Sequence, residues 1–431
     1  MNETSNTSTR IQILDIMRGI AVLGILGVNI FCYGLPEILS DALPVTDPDH
    51  GLGYMLGMAG EILLSGKMRS LFAMLFGISS VIILDRLVKK HDGLESTQIF
   101  FRRMVWLLIF GQIHGFLFLF YGDILFHYGI MGMIAFPLYY ASPRVRKLIM
   151  LICLAVLTYK PYSDYQYTVE LRDEYVEIMQ RKNSGERLSD YDYLVIDEWN
   201  YDTAYISPKL EDYEDELEAK QGGLLTTFEF NKDGVVQMAT YDLYNWYSWE
   251  ILLYMLLGVS LYRSGFFSKD YPSRKLLPIA LLGLAIGGAI HAWVHLGFYA
   301  AYTDHVKSIF YLIFFDLGRL PMMFGYVATI CLVFRSRWFA KPGRWLAATG
   351  KMTLTNYLMQ SIIAACFFFG LRQFNQLDRV QLSLVVLTIW IFEIVFSNIW
   401  LKSFNYGPME WVWRSLTYCS PQPWRRIPNS Q

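Results

Sequence analysis

Three polar residues share one face of the first apolar segment: Asp15, Arg18 and Asn29. On a helix turning about 100° per residue, Asp15 and Arg18 are neighbours at i, i+3. Asn29 follows Arg18 by eleven residues, about three full turns, so it lies on the same stripe about 16 Å deeper along the axis. A charged pair in an apolar helix is costly and must face protein, a cavity or a substrate path rather than lipid. An arginine there can hold an anion, and an amide three turns deeper can hydrogen-bond the far end of the same ligand.

The spacing recurs. Arg103 precedes His114 by eleven residues in a second apolar segment. That segment ends in Phe120-Tyr121-Gly122-Asp123-Ile124, a tight connection permitted by Gly122. Asp123 and His127 follow it, so His114, Asp123 and His127 are expected to converge near one membrane edge. A histidine beside a carboxylate is a general acid/base arrangement, the carboxylate fixing the tautomer and raising basicity.

Other intramembrane polar groups have less definite chemistry. Lys67 and Arg69 open a segment after Gly66, on a side expected to be poor in cations. They either bind an anionic group, with Glu61 as a partner for Arg69, or reach lipid phosphate. Asp316 and Arg319 at i, i+3 read as a buried ion pair. Thr353, Asn356 and Gln360 form another polar stripe, suited to interhelical hydrogen bonding or to lining a cavity. His291 and His295 at i, i+4 lack the adjacent glutamate of a zinc helix, so no metal is expected. No Walker loop, GxSxG or dinucleotide fingerprint is present, which argues against ATP-driven transport by this chain alone.

The elements that must position these residues are membrane helices. The chain is 54% hydrophobic, 16% aromatic and only 17% charged. Apolar runs of helix-spanning length recur throughout. Ten spans are read, at 12–34, 69–88, 104–121, 124–141, 146–160, 244–262, 277–299, 309–334, 351–370 and 381–401. A shorter glycine-rich stretch, 51–66, reads as interfacial or re-entrant. The fold class is all-α, a polytopic bundle with a membrane half at 1–160, an insertion at 161–243 and a second membrane half at 244–431.

Basic loops at 85–103, 142–147, 263–275 and 335–344 fall on one side with both termini, which places that side in the cytoplasm. The stretch 35–53 has no Lys or Arg and carries Asp41, Asp47 and Asp49, so it is expected outside. The overall charge of −1 hides an asymmetry: residues 161–243 hold 20 Asp/Glu against 7 Lys/Arg. With ten tyrosines, this insertion reads either as an ordered cap over the outer face or as a solvated acidic hairpin. No cleavable signal is expected, since the first apolar run carries Asp15 and Arg18 and lacks a small-residue cleavage site. The five cysteines form no CxxC and read as small buried hydrophobes.

The segments RIQILDIMRGIAVLGILGVNI, GKMRSLFAMLFG, RRMVWLLIFGQIHGFLFLFYGDIL, GRWLAATGKMTLTNYLMQS and GPMEWVWRSLTY resemble the YeiB-type family of bacterial multi-pass inner-membrane proteins, whose biochemical role is open. More distantly, the chain is similar to transmembrane acyltransferases, including heparan-α-glucosaminide N-acetyltransferase and the polysaccharide O-acyltransferases. Asp15, Arg18, Gly19 and Asn29 match the Asp-x-x-Arg-Gly start of that group and its polar residue eleven positions on. Ser40 stands where the heparan enzyme keeps its histidine, and His50 is the nearest histidine. The O-acyltransferases have histidine at the Asn29 position. Either His114 takes that role or the chemistry differs.

What this resemblance implies is an inner-membrane acyltransferase. Acyl-CoA, the expected co-substrate, enters from the cytoplasm with its phosphates near Arg18 and Arg103. His114, oriented by Asp123, deprotonates an acceptor, and Asn29 hydrogen-bonds the thioester or oxyanion. Asp15, Arg69, Asn356 and Gln360 complete the expected binding set. The acceptor is an envelope glycan or lipid; the partners are lipid, with no nucleic acid. Two alternatives remain open from the residues alone: a transporter of a small amphipathic or lipid-like solute, its path lined by the same stripes, and an assembly partner docking through the acidic cap.

Overall fold

A computed structural model describes residues 2–40, 42–91, 93–268 and 270–426, with side chains from Gln12 onward except Arg337. Asp41 and Lys269 of the loop-charge reading lie outside the described residues, as does the Arg337 side chain. The first half is built from α1 (Asn2–Gly34), the single turns α2 (Glu37–Ser40) and α3 (Leu43–Thr46), α4 (Leu52–Leu63), α5 (Lys67–Lys90), α6 (Glu95–Leu117), α7 (Leu125–Tyr139) and α8 (Pro143–Asn183). The insertion adds α9 (Asp190–Thr203), α10 (Glu214–Gly222) and α11 (Leu224–Gln237). The second half comprises α12 (Ser248–Arg263), α13 (Ser273–Ala300), α14 (His305–Leu312), α15 (Phe315–Phe334), α16 (Ala340–Lys351), α17 (Thr353–Ala364), α18 (Arg379–Ser403) and α19 (Pro408–Tyr418).

The molecule is an all-helical polytopic membrane bundle. Among the described residues, six helical stretches are long and apolar enough to cross a membrane: Gln12–Gly34, Leu52–Lys90, Ser273–Ala300, His305–Phe334, Thr353–Gly370 and Arg379–Ser403. The remaining spans read from sequence fall on α6, α7, the first part of α8, and α12. Local chemistry sets the boundaries. Gly66, at φ 71°, separates α4 from α5 in a backbone conformation open to glycine. Ser142 caps α8 by accepting from the Val145 amide, with Pro143 at the first helical position. Asp378 and Gln381 form a capping box that starts α18.

Glycine seams bring the helices together, as expected where small residues let membrane helices approach closely. Gly283 and Gly287 of α13 meet Gly325 and Met322 of α15. Gly77 of α5 faces the Met255 carbonyl of α12, and Gly258 of α12 faces the Met74 carbonyl. Gly19 of α1 sits against the Leu346 carbonyl of α16, and Gly350 sits against the Asp15 carbonyl. This last seam fixes the Asp15–Arg18 turn. Gly350→Val is expected to destabilise the protein by about 1–3 kcal/mol, the range for overpacking, in detergent unfolding. Gly288→Ala, where an added Cβ meets open space, serves as the neutral control.

The insertion is an ordered cap, not a solvated hairpin. The α8 helix runs unbroken across 160/161, through Pro161, and carries the insertion's first segment. Leu171 and Ile178 of α8 pack with Val195 and Ile196 of α9 in a small apolar core. The Lys220–Glu216 ion pair (2.5 Å) is buried, and Glu216 also accepts from the Glu37 amide at 2.9 Å. Asn231 donates to the Leu119 carbonyl at 3.0 Å, and Gln221 to the Phe374 carbonyl at 3.1 Å. These bonds lay α10 and α11 over one end of the bundle, opposite the end that carries the basic loops. The tyrosines and buried polar pairs order an acidic segment that charge alone would leave solvated.

Candidate functional site

His114, at the last turn of α6, has no exposed surface. Its Nδ1 lies 2.7 Å from Asp123 Oδ1, and its Nε2 lies 2.6 Å from Ser361 Oγ of α17. The tight Phe118–Ile124 connection returns the chain so that Asp123 reaches back to α6. The Asp123 Oδ2 is held by the Phe126 amide at 2.8 Å. A carboxylate accepting from Nδ1–H fixes the tautomer and leaves Nε2 as the acceptor for the Ser361 hydroxyl. The imidazole cannot easily swing away. Tyr357, Phe120 and Phe118 surround it, with ring centroids 4.8, 5.8 and 6.1 Å distant. A hydroxyl, an imidazole and a carboxylate thus lie in line, each within hydrogen-bond reach of the next.

Two further side chains of α1 approach this point. Tyr33 is 2% exposed, stacks on Phe120, and brings its hydroxyl beside Ser361. That hydroxyl makes no hydrogen bond of good geometry. Asn29, half-buried, lies one helical turn before Tyr33, about 6 Å along the axis. Its side chain makes no hydrogen bond to the described residues.

The two helices carrying His114 and Ser361 are tied together by α19. Glu410 accepts from the Leu354 and Thr355 amides at 2.6 and 3.1 Å and from the Thr355 hydroxyl at 2.6 Å. It thus caps the N-terminus of α17, where amides lack intrahelical partners and a carboxylate is favoured. Three residues on, Trp413 donates its indole N–H to the Arg103 carbonyl of α6 at 3.0 Å. The segments GPMEWVWRSLTY and GKMTLTNYLMQS therefore form one joint.

At the end of the basic loops, Arg18 donates to Asp15 at 2.5 Å and to Ser79 of α5 at 2.6 Å. A quarter of its side-chain surface stays accessible. Arg103 lays its guanidinium over the Trp413 ring, 3.4 Å from the centroid. It lies within electrostatic range of Arg18 and Arg414. The two arginines of equal spacing thus converge, with Arg414 as a third cation that the sequence pattern did not single out.

The other expected site residues have partners elsewhere. Arg69 is held by both oxygens of Glu250, at 3.0 and 2.7 Å, and Glu61 is not its partner; the Glu61 carbonyl instead accepts from Lys67 Nζ at 2.7 Å. Glu250 also pairs with Arg319 at 3.0 Å, and Arg319 with Asp316, forming one buried network. Asn356 donates to the Thr349 carbonyl and to Ser397. Gln360 donates to the Val22 carbonyl and to Glu393. These two are interhelical ties. His127 turns from Asp123 to the Met238 carbonyl, 3.0 Å away. Ser361, Tyr33, Glu250, Glu393 and Arg414 were not picked out by spacing. Ser361 stands beside Gln360 on α17 but 247 positions along the chain from His114, so local spacing gives no sign of their contact.

Above the site, between the cap and the bundle, lies a cavity of ≈ 450 Å³ lined by Glu37, Tyr121, Lys220, Asn231, Gln237 and Asp242. Tyr121 adjoins Phe120, which packs on His114.

Fold and site together define a polytopic helical membrane protein with a buried Ser–His–Asp cluster. Residues 261–420 match the family described as "Protein of unknown function (DUF418)". The chain is 28% identical over 431 residues to the uncharacterized protein YxaH of Bacillus subtilis (strain 168), covering 97% of this chain and 96% of that protein. It is equally 28% identical over 431 residues to the uncharacterized protein YeiB of Escherichia coli (strain K12), covering 95% and 97%. An uncharacterized 39.9 kDa protein in the amylase 3' region of Bacillus acidopullulyticus is 26% identical over 416 residues, covering 95% and 94%. The YeiB-like resemblance carried by the five motifs is borne out over nearly the whole chain. The DUF418 match contains Ser361 and Glu410 but not His114 or Asp123. No solved structure matches significantly.

Proposed function

We propose that this chain is a membrane acyltransferase that moves an acyl group from acyl-CoA, on the cytoplasmic side, to an envelope glycan or lipid on the other side. The observation that carries this reading is the buried His114, held by Asp123 at Nδ1 and meeting a hydroxyl at Nε2. That is the geometry of a general base poised to take a hydroxyl proton. Arg18 and Arg103, with Arg414, receive the phosphates of the donor. Arg18 and Arg103 each lie eleven residues, about 16 Å, from the polar group on their own helix, a distance suited to an extended pantetheine arm. Asn29 hydrogen-bonds the thioester carbonyl. The acceptor approaches through the polar cavity under the cap, whose Lys220, Asn231, Gln237 and Asp242 suit a hydroxyl-rich molecule. The basic loops and both termini face the cytoplasm of the bacterial inner membrane. A transport path finds less support, because Asn356 and Gln360 are closed by interhelical bonds.

Liposomes containing the protein test this reading, with labelled acyl-CoA inside and candidate glycans or lipids outside. Protein-dependent label transfer is expected. Arg18→Ala and Arg103→Ala should raise KM for acyl-CoA about tenfold or more while lowering kcat less, since charge-assisted bonds to phosphate are worth about 1.5–3 kcal/mol. Absence of both acyl-CoA binding and thioester turnover, with solute flux intact, would sink it.

A further inference from the structure

We infer that Ser361 is the nucleophile of this site and carries the acyl group as a serine ester between donor and acceptor. The inference rests on the acyltransferase reading and adds to it a covalent intermediate. General-base chemistry on an acceptor requires only a histidine and a carboxylate. The structure adds a third member that such a mechanism does not need: a serine hydroxyl 2.6 Å from the free nitrogen of the same imidazole. Ser361 is 3% exposed and lies in α17, on a helix whose start is fixed by Glu410. A hydroxyl delivered by the acceptor would have to displace it. A hydroxyl already in place needs only the thioester to arrive.

Tyr33 supplies the second observation. Its buried hydroxyl lies beside Ser361 and lacks a hydrogen-bond acceptor of good geometry. A buried hydroxyl with no well-formed hydrogen bond is costly and calls for a reason. A hydroxyl beside the nucleophile is placed to donate to the oxyanion that forms when the carbonyl carbon becomes tetrahedral. The rings of Phe120 and Tyr357, packed on the buried His114, keep water from an ester held there.

The steps balance without any further reactant. The Ser361 oxygen attacks the thioester carbonyl carbon as its proton passes to His114 Nε2. The carbon–sulfur bond breaks, and the departing thiolate takes that proton, giving free CoA and acyl-Ser361. An acceptor hydroxyl then gives its proton to Nε2 and attacks the ester carbonyl. The Ser361 oxygen leaves and recovers the proton. Asp123 holds the imidazole through both halves.

The full-length protein in nanodiscs is incubated, without acceptor, with acetyl-, octanoyl- or palmitoyl-CoA and analysed by intact mass and peptide mapping. One acyl group is expected on the peptide containing Ser361, resistant to neutral hydroxylamine as an ester should be. In Ser361→Ala the adduct disappears and transfer falls at least about 10³-fold. Ser361→Cys retains a side chain able to meet His114 and gives a hydroxylamine-labile thioester, which separates chemistry from folding. If Ser361→Ala transfers label at the wild-type rate with no adduct in the wild type, the nucleophile is overturned and the acyltransferase reading stands. If no form binds or consumes any acyl-CoA, the reading itself fails and the nucleophile with it.

Discussion

His114→Ala should lower acyl transfer by about 10²–10⁴-fold, the range that a positioned acid/base contributes, with little change in KM for the donor. The imidazole touches Asp123 and Ser361 but none of the arginines, so its loss acts on the chemical step rather than on donor binding. Asp123→Asn should come close to the same loss for a different reason. An amide in place of the carboxylate can donate to Nδ1, which moves the proton to Nε2 and removes the acceptor that Ser361 needs. The fold should survive both changes, because the Phe126 amide can still bond an Asn oxygen and the aromatic wall is untouched. Steady-state transfer in liposomes, with a size-exclusion profile for each variant, checks this. Wild-type turnover in His114→Ala would remove the histidine from the chemistry.

Glu250→Ala should produce the largest loss of stability of any single change at the network of α5, α12 and α15, about 3–5 kcal/mol. Glu250 is 4% exposed and faces two guanidiniums. Its bidentate bond to Arg69 and its pair with Arg319 offset the desolvation of all three groups. With the carboxylate gone, Asp316 can answer Arg319 alone, and Arg69 retains chiefly the face of Tyr247, 4.5 Å away. Unfolding in detergent, monitored by tryptophan fluorescence, measures the change. The exposed Lys232–Glu229 pair is the control, and Glu229→Ala should shift stability by less than about 1 kcal/mol. Equal effects at the two sites would mean that the buried network adds little.

Much of the bundle is legible in the sequence, because apolar length and periodicity state where helices must lie. Each of the ten spans overlaps a helix, although 104–121 overruns the end of α6 at Leu117 and 309–334 crosses the break between α14 and α15; the stretch at 51–66 is a separate twelve-residue helix ended before Gly66. The His114–Asp123 pair is also legible, since only nine residues and one tight turn separate its members. Ser361 is not, because it lies 247 positions along the chain from His114, and nothing in the pattern of α17 distinguishes a hydroxyl that meets histidine from one that bonds its own helix. The Arg69–Glu250 pair is hidden in the same way: the nearby Glu61 attracts the local reading, while the true partner is 181 residues away. The polar stripe of Asn356 and Gln360 is visible as a stripe in the sequence, but its partners Ser397 and Glu393 come from α18. Acidic composition alone leaves the cap ambiguous, because the buried pair Lys220–Glu216 that helps order it is a tertiary matter.

The joint made by α19 bears on how α6 and α17 can move. Glu410 holds the first amides of α17 and Trp413 holds the Arg103 carbonyl of α6, about one helical turn apart on the same short helix. α19 therefore acts as a lever with two arms: a displacement of it shifts α6 and α17 together, and with them the contact between His114 and Ser361.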